Sequence, residues 1–292
     1  MGGDGDDTRD DGNADRKPLN MTLAAIIVSV DFDQGTEARI GLAAALAVRF
    51  NSLLIGVAGW PLQKHHRDAI SEASLPGPGS SELASKELGH LGEKFHKIAG
   101  AITDRLEWRS SMNFPRDVLA TEARAADLVV IGQSLLPGDI SHTYDPGTII
   151  LAAGRPVLTV PEAIGRFEPS RILIAWKDTR EARRAVRDAL PFLKQAKDVA
   201  IAVVNPSDRE GADAQIADVA QYLARHQVSV GRQIASVGGE SEGDILLELA
   251  QQHDVDLIVA GAYGRTRLGE WIFGGVTRHL LLTSDVPCLF SN

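Results

Sequence analysis

A single cysteine, Cys288, is all that this 292-residue chain contains, so no intramolecular disulfide can form. Its place in an apolar run reads as a small buried hydrophobe rather than a reactive thiol. No run of roughly 18 consecutive apolar residues is present, which excludes a helical membrane span. The N-terminus lacks the apolar core of a secretory signal, and cytoplasm is the expected compartment. Positive charge is short as well. A formal net charge of -9 argues against nucleic acid or an anionic membrane as the main partner, since both would repel the protein. Gly-Lys-Ser and Gly-Lys-Thr are both missing, so there is no P-loop, and any phosphate must be held by other local geometry. Large apolar side chains are nearly absent from Met1 to Asn20, which are rich in Gly and Asp. Such a stretch cannot bury enough surface to offset its ordering entropy, so residues 1–21 are predicted to be a disordered tail.

The rest of the chain has the composition of a globular protein, 44% hydrophobic and 24% charged, and its length suits two domains. Apolar, β-branched runs alternate with stretches of helical spacing. Strands are expected at Ala24 to Val30, Ser52 to Val57, Leu106 to Ser110, Leu128 to Gly132 and Pro156 to Val160. Helices are expected at Gly35 to Phe50, Ser80 to Ile102, Arg116 to Ala125 and Gly147 to Ala153. Gly59 to Gly79, with three prolines, reads as a loop. The order then repeats. Strands fall at Arg171 to Trp176, Val199 to Val204, Val228 to Ala235, Leu257 to Gly261 and Pro287 to Phe290. Helices fall at Arg180 to Lys194, Asp213 to His226, Gly243 to His253 and Gly275 to Thr283.

Short phrases overlay the two halves. The run from Ala24 to Asp31 matches that from Arg171 to Asp178, Ala126 to Gly132 matches Val255 to Gly261, and Arg155 to Leu158 matches Val286 to Leu289. Three matches in one order imply duplication. The join lies between Pro161 and Pro169, giving expected domains at residues 22–161 and 169–292. Strands separated by helices make a parallel sheet covered on both faces, and such sheets bind ligands beyond the carboxyl ends of their strands. The expected fold is therefore α/β: two tandem Rossmann-like domains, each a mostly parallel five-stranded sheet flanked by helices.

The segment after the strand at Leu257 carries the chemistry. Gly261, Gly264 and Gly274 stand with two and nine residues between them, and Gly274 to Thr277 opens a helix. Glycines let backbone approach an anion, and a helix N-terminus adds free N–H groups and partial positive charge. This spacing resembles the signature of the universal stress protein family, in which Ser or Thr normally follows the last Gly; here that place is held by Gly275. The resemblance implies an adenine nucleotide alpha hydrolase-like fold. It also implies ATP as ligand, with or without Mg²⁺. By the resemblance, Gly261, Gly264, Gly274, Gly275 and Val276 would line the triphosphate, and Arg265 would pair with it. The base and ribose would meet Ala175, Trp176 and Asp178, with Lys177 standing where the family has its Asp, and Val203 would face the adenine edge. The family pairs its last strands between domains, so Pro156 to Val160 and Pro287 to Phe290 would join in an internal pseudo-dimer, and a homodimer is a further expectation. The first half keeps Asp31 but lacks the second Gly, having Gln133 and Ser134 after Gly132, and reads as a degenerate partner.

Other chemistries are weaker. Asp31 and Asp33 could be the acid pair of a slow phosphohydrolase, but no downstream acids follow at Leu128 to Ser134. Ser134 lacks the glycine that closes a nucleophile elbow. His65 with His66, and His90 with His96, do not have metal-ligand spacing on one face. Trp60, Trp108 and Trp271 read as packing residues. No general base, metal triad or nucleophile accompanies the loop, so strong turnover is not expected. The expected function is a stress-response nucleotide-binding or signalling protein; a structural interaction protein that binds no nucleotide stays open beside it.

Overall fold

A computed structural model describes residues 23–61, 79–133, 144–206, 208–236, 241–263 and 275–292. The predicted tail, most of the predicted loop from Gly59 to Gly79, and the residues His65, His66, Ser134, Gly264, Arg265, Trp271 and Gly274 lie outside the described residues.

The first half runs β1 (Ala25–Ser29), α1 (Thr36–Phe50), β2 (Leu53–Gly59), α2 (Ser80–Ala99), β3 (Leu106–Ser111), α3 (Pro115–Glu122), β4 (Leu128–Gly132), α4 (Pro146–Ala152) and β5 (Val157–Val160). The second runs β6 (Arg171–Ala175), α5 (Arg180–Asp188), α6 (Leu190–Leu193), β7 (Asp198–Val204), α7 (Arg209–Arg225), β8 (Arg232–Ser236), α8 (Glu242–Gln252), β9 (Leu257–Gly261), α9 (Gly275–Thr283) and β10 (Cys288–Ser291). The helix expected over Arg180 to Lys194 is two pieces. Pro191 has no N–H to give the carbonyl of Arg187, and its ring crowds that turn, so the helix breaks at Ala189. Helix α7 begins earlier than its apolar spacing suggests, at Arg209. Strand β8 begins later, because Gln227 takes a left-handed conformation (φ 65°) and Val228 still bonds back to Leu223.

All ten strands form one sheet in the order β3-β2-β1-β4-β5-β10-β9-β6-β7-β8. Within each half the pairs are parallel. The halves meet where β5 pairs antiparallel with β10, Leu158 opposite Leu289, as expected of the last strands. This pairing uses up two edges that would otherwise stay open to other chains. The central strands are apolar except at their ends, Ser29 and Arg171, because both faces are covered. One core lies under α1, α2, α5, α6 and α7, the other under α3, α4, α8 and α9.

The repeated Asp-Leu phrase has a structural reason. Asp127 Oδ2 accepts from the N–H groups of Ala24 (2.7 Å) and Ala25 (3.1 Å), and Asp256 Oδ2 accepts from those of Ser170 (3.1 Å) and Arg171 (2.8 Å). Each carboxylate ties the start of a half's first strand to its fourth. It also sets the true overlay: Ala25 corresponds to Arg171, so Asp31 corresponds to Lys177 and not to Asp178. The overlay of Ala24 on Arg171 is thus one residue out of step.

The halves are also bound through side chains. The rings of Phe50 and Phe192 meet edge to face at 5.3 Å. Gln133 Nε2 donates to the carbonyls of Leu280 (2.7 Å) and Ser284 (3.0 Å) at the end of α9. Gln133→Leu strands the Ser284 carbonyl, while that of Leu280 keeps the Ser284 N–H (3.1 Å), and urea unfolding should show a loss of about 1–3 kcal/mol with an unchanged slope. A midpoint equal to that of the parent protein would deny the bond any weight.

Candidate functional site

In the second half β6 leads outward to β7 on one side while β9 leads to β10 on the other, so the order of strands reverses between β6 and β9. The crevice beyond their carboxyl ends is where this architecture takes ligands. After β9 the chain turns at Tyr263, which is left-handed (φ 57°), and α9 begins at Gly275. Among the described residues, a Cβ built on Gly275 would meet nothing within 4 Å, so none of them stands in the way of a serine there. Gly261 has a different reason to be glycine. A Cβ there would press on the backbone N of Ala182 and lie 2.7 Å from the carbonyl carbon of Glu181 and 2.9 Å from Ala182 Cα. The first turn of α5 packs directly on the end of β9, held by Thr179, whose Oγ1 accepts from the N–H of Ala182 at 3.2 Å.

The sheet divides the residues assigned to the base. Ala175 packs toward the core under α8 and α9, as do Tyr263 and Val276. Trp176 and Val203 are buried in the opposite core. Asp178 is ion-paired with Arg183 and, with Trp176, lines a cavity between α5 and α7. Gly275 and Val276 therefore share a side with Ala175, whereas Trp176, Asp178 and Val203 belong to the other.

The first half has filled its own crevice. Arg39, from the first turns of α1, is buried at the ends of β1 and β4. Its Nε donates to the Ser29 carbonyl (3.0 Å), Nη1 to Asp33 Oδ2 (2.9 Å), and Nη2 to Asp31 Oδ1 (2.8 Å) and Thr36 Oγ1 (2.7 Å). Tyr144 closes the group: its hydroxyl bonds Ser29 Oγ (2.7 Å) and accepts from the Gly132 N–H (3.1 Å). Burial opposes a charged guanidinium, but Asp31, Tyr144 and Asp33 outweigh it and keep Arg39 protonated. Burial would also raise Asp31, yet Arg39 and the Thr36 hydroxyl hold that carboxyl below its ordinary value. Asp33 goes the other way: burial, with repulsion from Asp31, outweighs the pull of Arg39 and raises it. Burial pushes the Tyr144 hydroxyl up.

Both acids of the suggested phosphohydrolase pair are thus committed to Arg39, and neither is free to attack phosphorus. Arg39 itself was not singled out by sequence reasoning, although a basic residue inside the apolar stripe of α1, close after two acids, was the available signal. Cys288 is buried and its thiol is pushed up to about 12 by burial, so it is inert. Among the described residues no three His, Cys, Asp or Glu gather as metal ligands, and no helix is long and apolar enough to cross a membrane.

The model of the universal stress protein family matches residues 169–291. No curated protein matches the chain. Among solved structures, a universal stress protein from Archaeoglobus fulgidus DSM 4304 is similar over 92% of this chain and 96% of its own, with a TM-score of 0.63 at 14% identity. A functionally unknown protein from Pseudomonas aeruginosa PAO1 is similar over 92% of each chain, with a TM-score of 0.56 at 17% identity. At such identities the likeness is one of fold, and it spans both halves. The second half of this chain is a domain of the universal stress protein family, and the first half repeats its fold.

Proposed function

We propose that this protein binds an adenine nucleotide, ATP, at the carboxyl edge of β6 and β9, and serves as a stress-response binding or signalling module without strong turnover. In this reading residues 22–161 and 169–292 are its two domains, and only the second is a receptor. The observation that carries the proposal is the contrast between the two crevices: Arg39 and its acids occupy the first, whereas among the described residues nothing stands within 4 Å of a Cβ built on Gly275 at the start of α9. The N–H groups of a helix start suit phosphate oxygens. Arg265 and the glycines Gly264 and Gly274 are assigned to the triphosphate by their spacing alone. With no protein cage of acids among the described residues, Mg²⁺ would arrive with the phosphates.

Calorimetric titration with ATP tests this, with and without Mg²⁺. Gly275→Ser restores the hydroxyl that the family carries, and one added bond to a charged oxygen should tighten binding about tenfold. Silence at millimolar ATP from both the parent and the serine variant would end the proposal.

A further inference from the structure

Near the start of α9, His279 meets the first turn of α8, and the approach is close. A Cβ on Gly243 would lie 2.5 Å from His279 Cδ2 and 2.8 Å from His279 Cβ, so the imidazole rests where only a glycine leaves room for it. Beyond the ring, His279 Nε2 stands 3.1 Å from Asp244 Oδ1. Among the described residues the same nitrogen, which is buried, has no aligned hydrogen bond, so the two groups meet as a close polar pair and not as a directed bond. The carboxylate cannot follow the ring if it moves. Ser241, which caps α8, accepts from the Asp244 N–H (3.1 Å) and donates to Asp244 Oδ2 (2.5 Å), and this pins the side chain at the helix start.

The seating of α9 gives this contact its weight. Thr277, Leu280 and Leu281 bury one side of the helix, and Gln133 holds carbonyls at its far end. Burial against the sheet fixes how high the helix stands, but it leaves open how its start swings sideways. His279, one turn after Gly275, supplies the contact toward α8 that settles the swing. The side chains of His279 and Asp244 are 27% and 43% exposed, so the pair adds little to stability. Its effect lies in direction.

We infer that His279 is a positioning residue: with Asp244 and Gly243 it sets where the first N–H groups of α9 point. If the crevice is the nucleotide site proposed above, on which this step rests, that direction governs how tightly phosphate is held, although His279 itself lies a full turn from those N–H groups.

Amide spectra of the ¹⁵N-labelled full chain, without ligand, read the start of α9 directly. The signals of Gly275, Val276 and Thr277 should move in His279→Ala and return toward the parent in His279→Gln, whose Nε2 reaches the same carboxylate. Both variants lack the ring, so the difference between them isolates the donor. Gly243→Ala, which keeps both members of the pair but forces the helices apart, should move the signals again. By calorimetry His279→Ala and Gly243→Ala should each bind ATP about fivefold more weakly than the parent, with His279→Gln within about twofold of it. Signals of Gly275 to Thr277 that stay still in His279→Ala, or that move as far in His279→Gln, would overturn the inference, and so would parent-like ATP affinity in the alanine variant. A parent protein that takes no ATP ends the nucleotide reading alone, because the amide signals still decide whether His279 sets the start of α9.

Discussion

Arg39→Leu is expected to cost about 3–5 kcal/mol of stability at neutral pH, because it leaves Asp31 and Asp33 buried without their counter-ion. Their side chains are only 11% and 12% exposed, so water cannot replace the guanidinium. The pH dependence identifies the cause. In the parent protein Asp31 is lowered, so its contribution is present above the ordinary carboxylate range and is lost as pH falls through the folded value. Asp33 is raised and acts in the opposite direction. Without Arg39 both are raised by burial and mutual repulsion. The folded variant then takes up protons that the unfolded chain does not, and its stability rises as pH falls toward the unfolded carboxylate value. The deficit against the parent should therefore shrink between about pH 7.5 and pH 5 in urea unfolding. Adding Asp33→Asn should recover part of the loss at neutral pH. A deficit equal at both pH values would mean that Arg39 acts by packing rather than by charge.

The self-filled crevice was hidden in the sequence for a definite reason. Periodicity identifies α1 as a helix and puts Arg39 in its apolar stripe, but only packing shows that the guanidinium stays buried there, beside Ile40 and Ala43, on Asp31 and Asp33. The strands were legible because runs such as Ile26 to Val28 and Leu257 to Ala260 are apolar without alternation, as strands covered on both faces must be. The duplication was legible in the paired phrases, although the first was placed one residue out of step. Such a slip matters in a strand, because neighbouring side chains point to opposite faces. Ala175 and Trp176 were both assigned to the base, and their side chains pack on opposite faces of the sheet. Pro191 was a legible breaker that the apolar spacing of Arg180 to Lys194 concealed. The role of Gln133 had no local signal, since its acceptors lie at the far end of α9, reached only after the halves join through β5 and β10.

The two halves close the gap between the first helix and the fourth strand by different means, and this makes a second large effect calculable. In the first half an arginine side chain spans the gap: a Cβ on Gly132 would meet Arg39 Nη1 at 2.5 Å and Asp33 Oδ2 at 3.0 Å. In the second half the helix itself comes down, so that the atoms nearest a Cβ on Gly261 are the backbone of Glu181 and Ala182. Side-chain ends can yield by tenths of an ångström, though here at some cost to the Arg39 bonds. A capped helix turn cannot yield without moving α5 off the sheet. Gly261→Ala should therefore cost about 3 kcal/mol, against about 1 kcal/mol for Gly132→Ala, both read from urea midpoints. The same variant separates the two roles open to Gly261. If it unfolds early, the glycine is there to let α5 approach β9. If it keeps the parent's stability but no longer takes ATP, the close approach of α5 is wrong and the residue acts through the ligand, as its place in the glycine spacing implies.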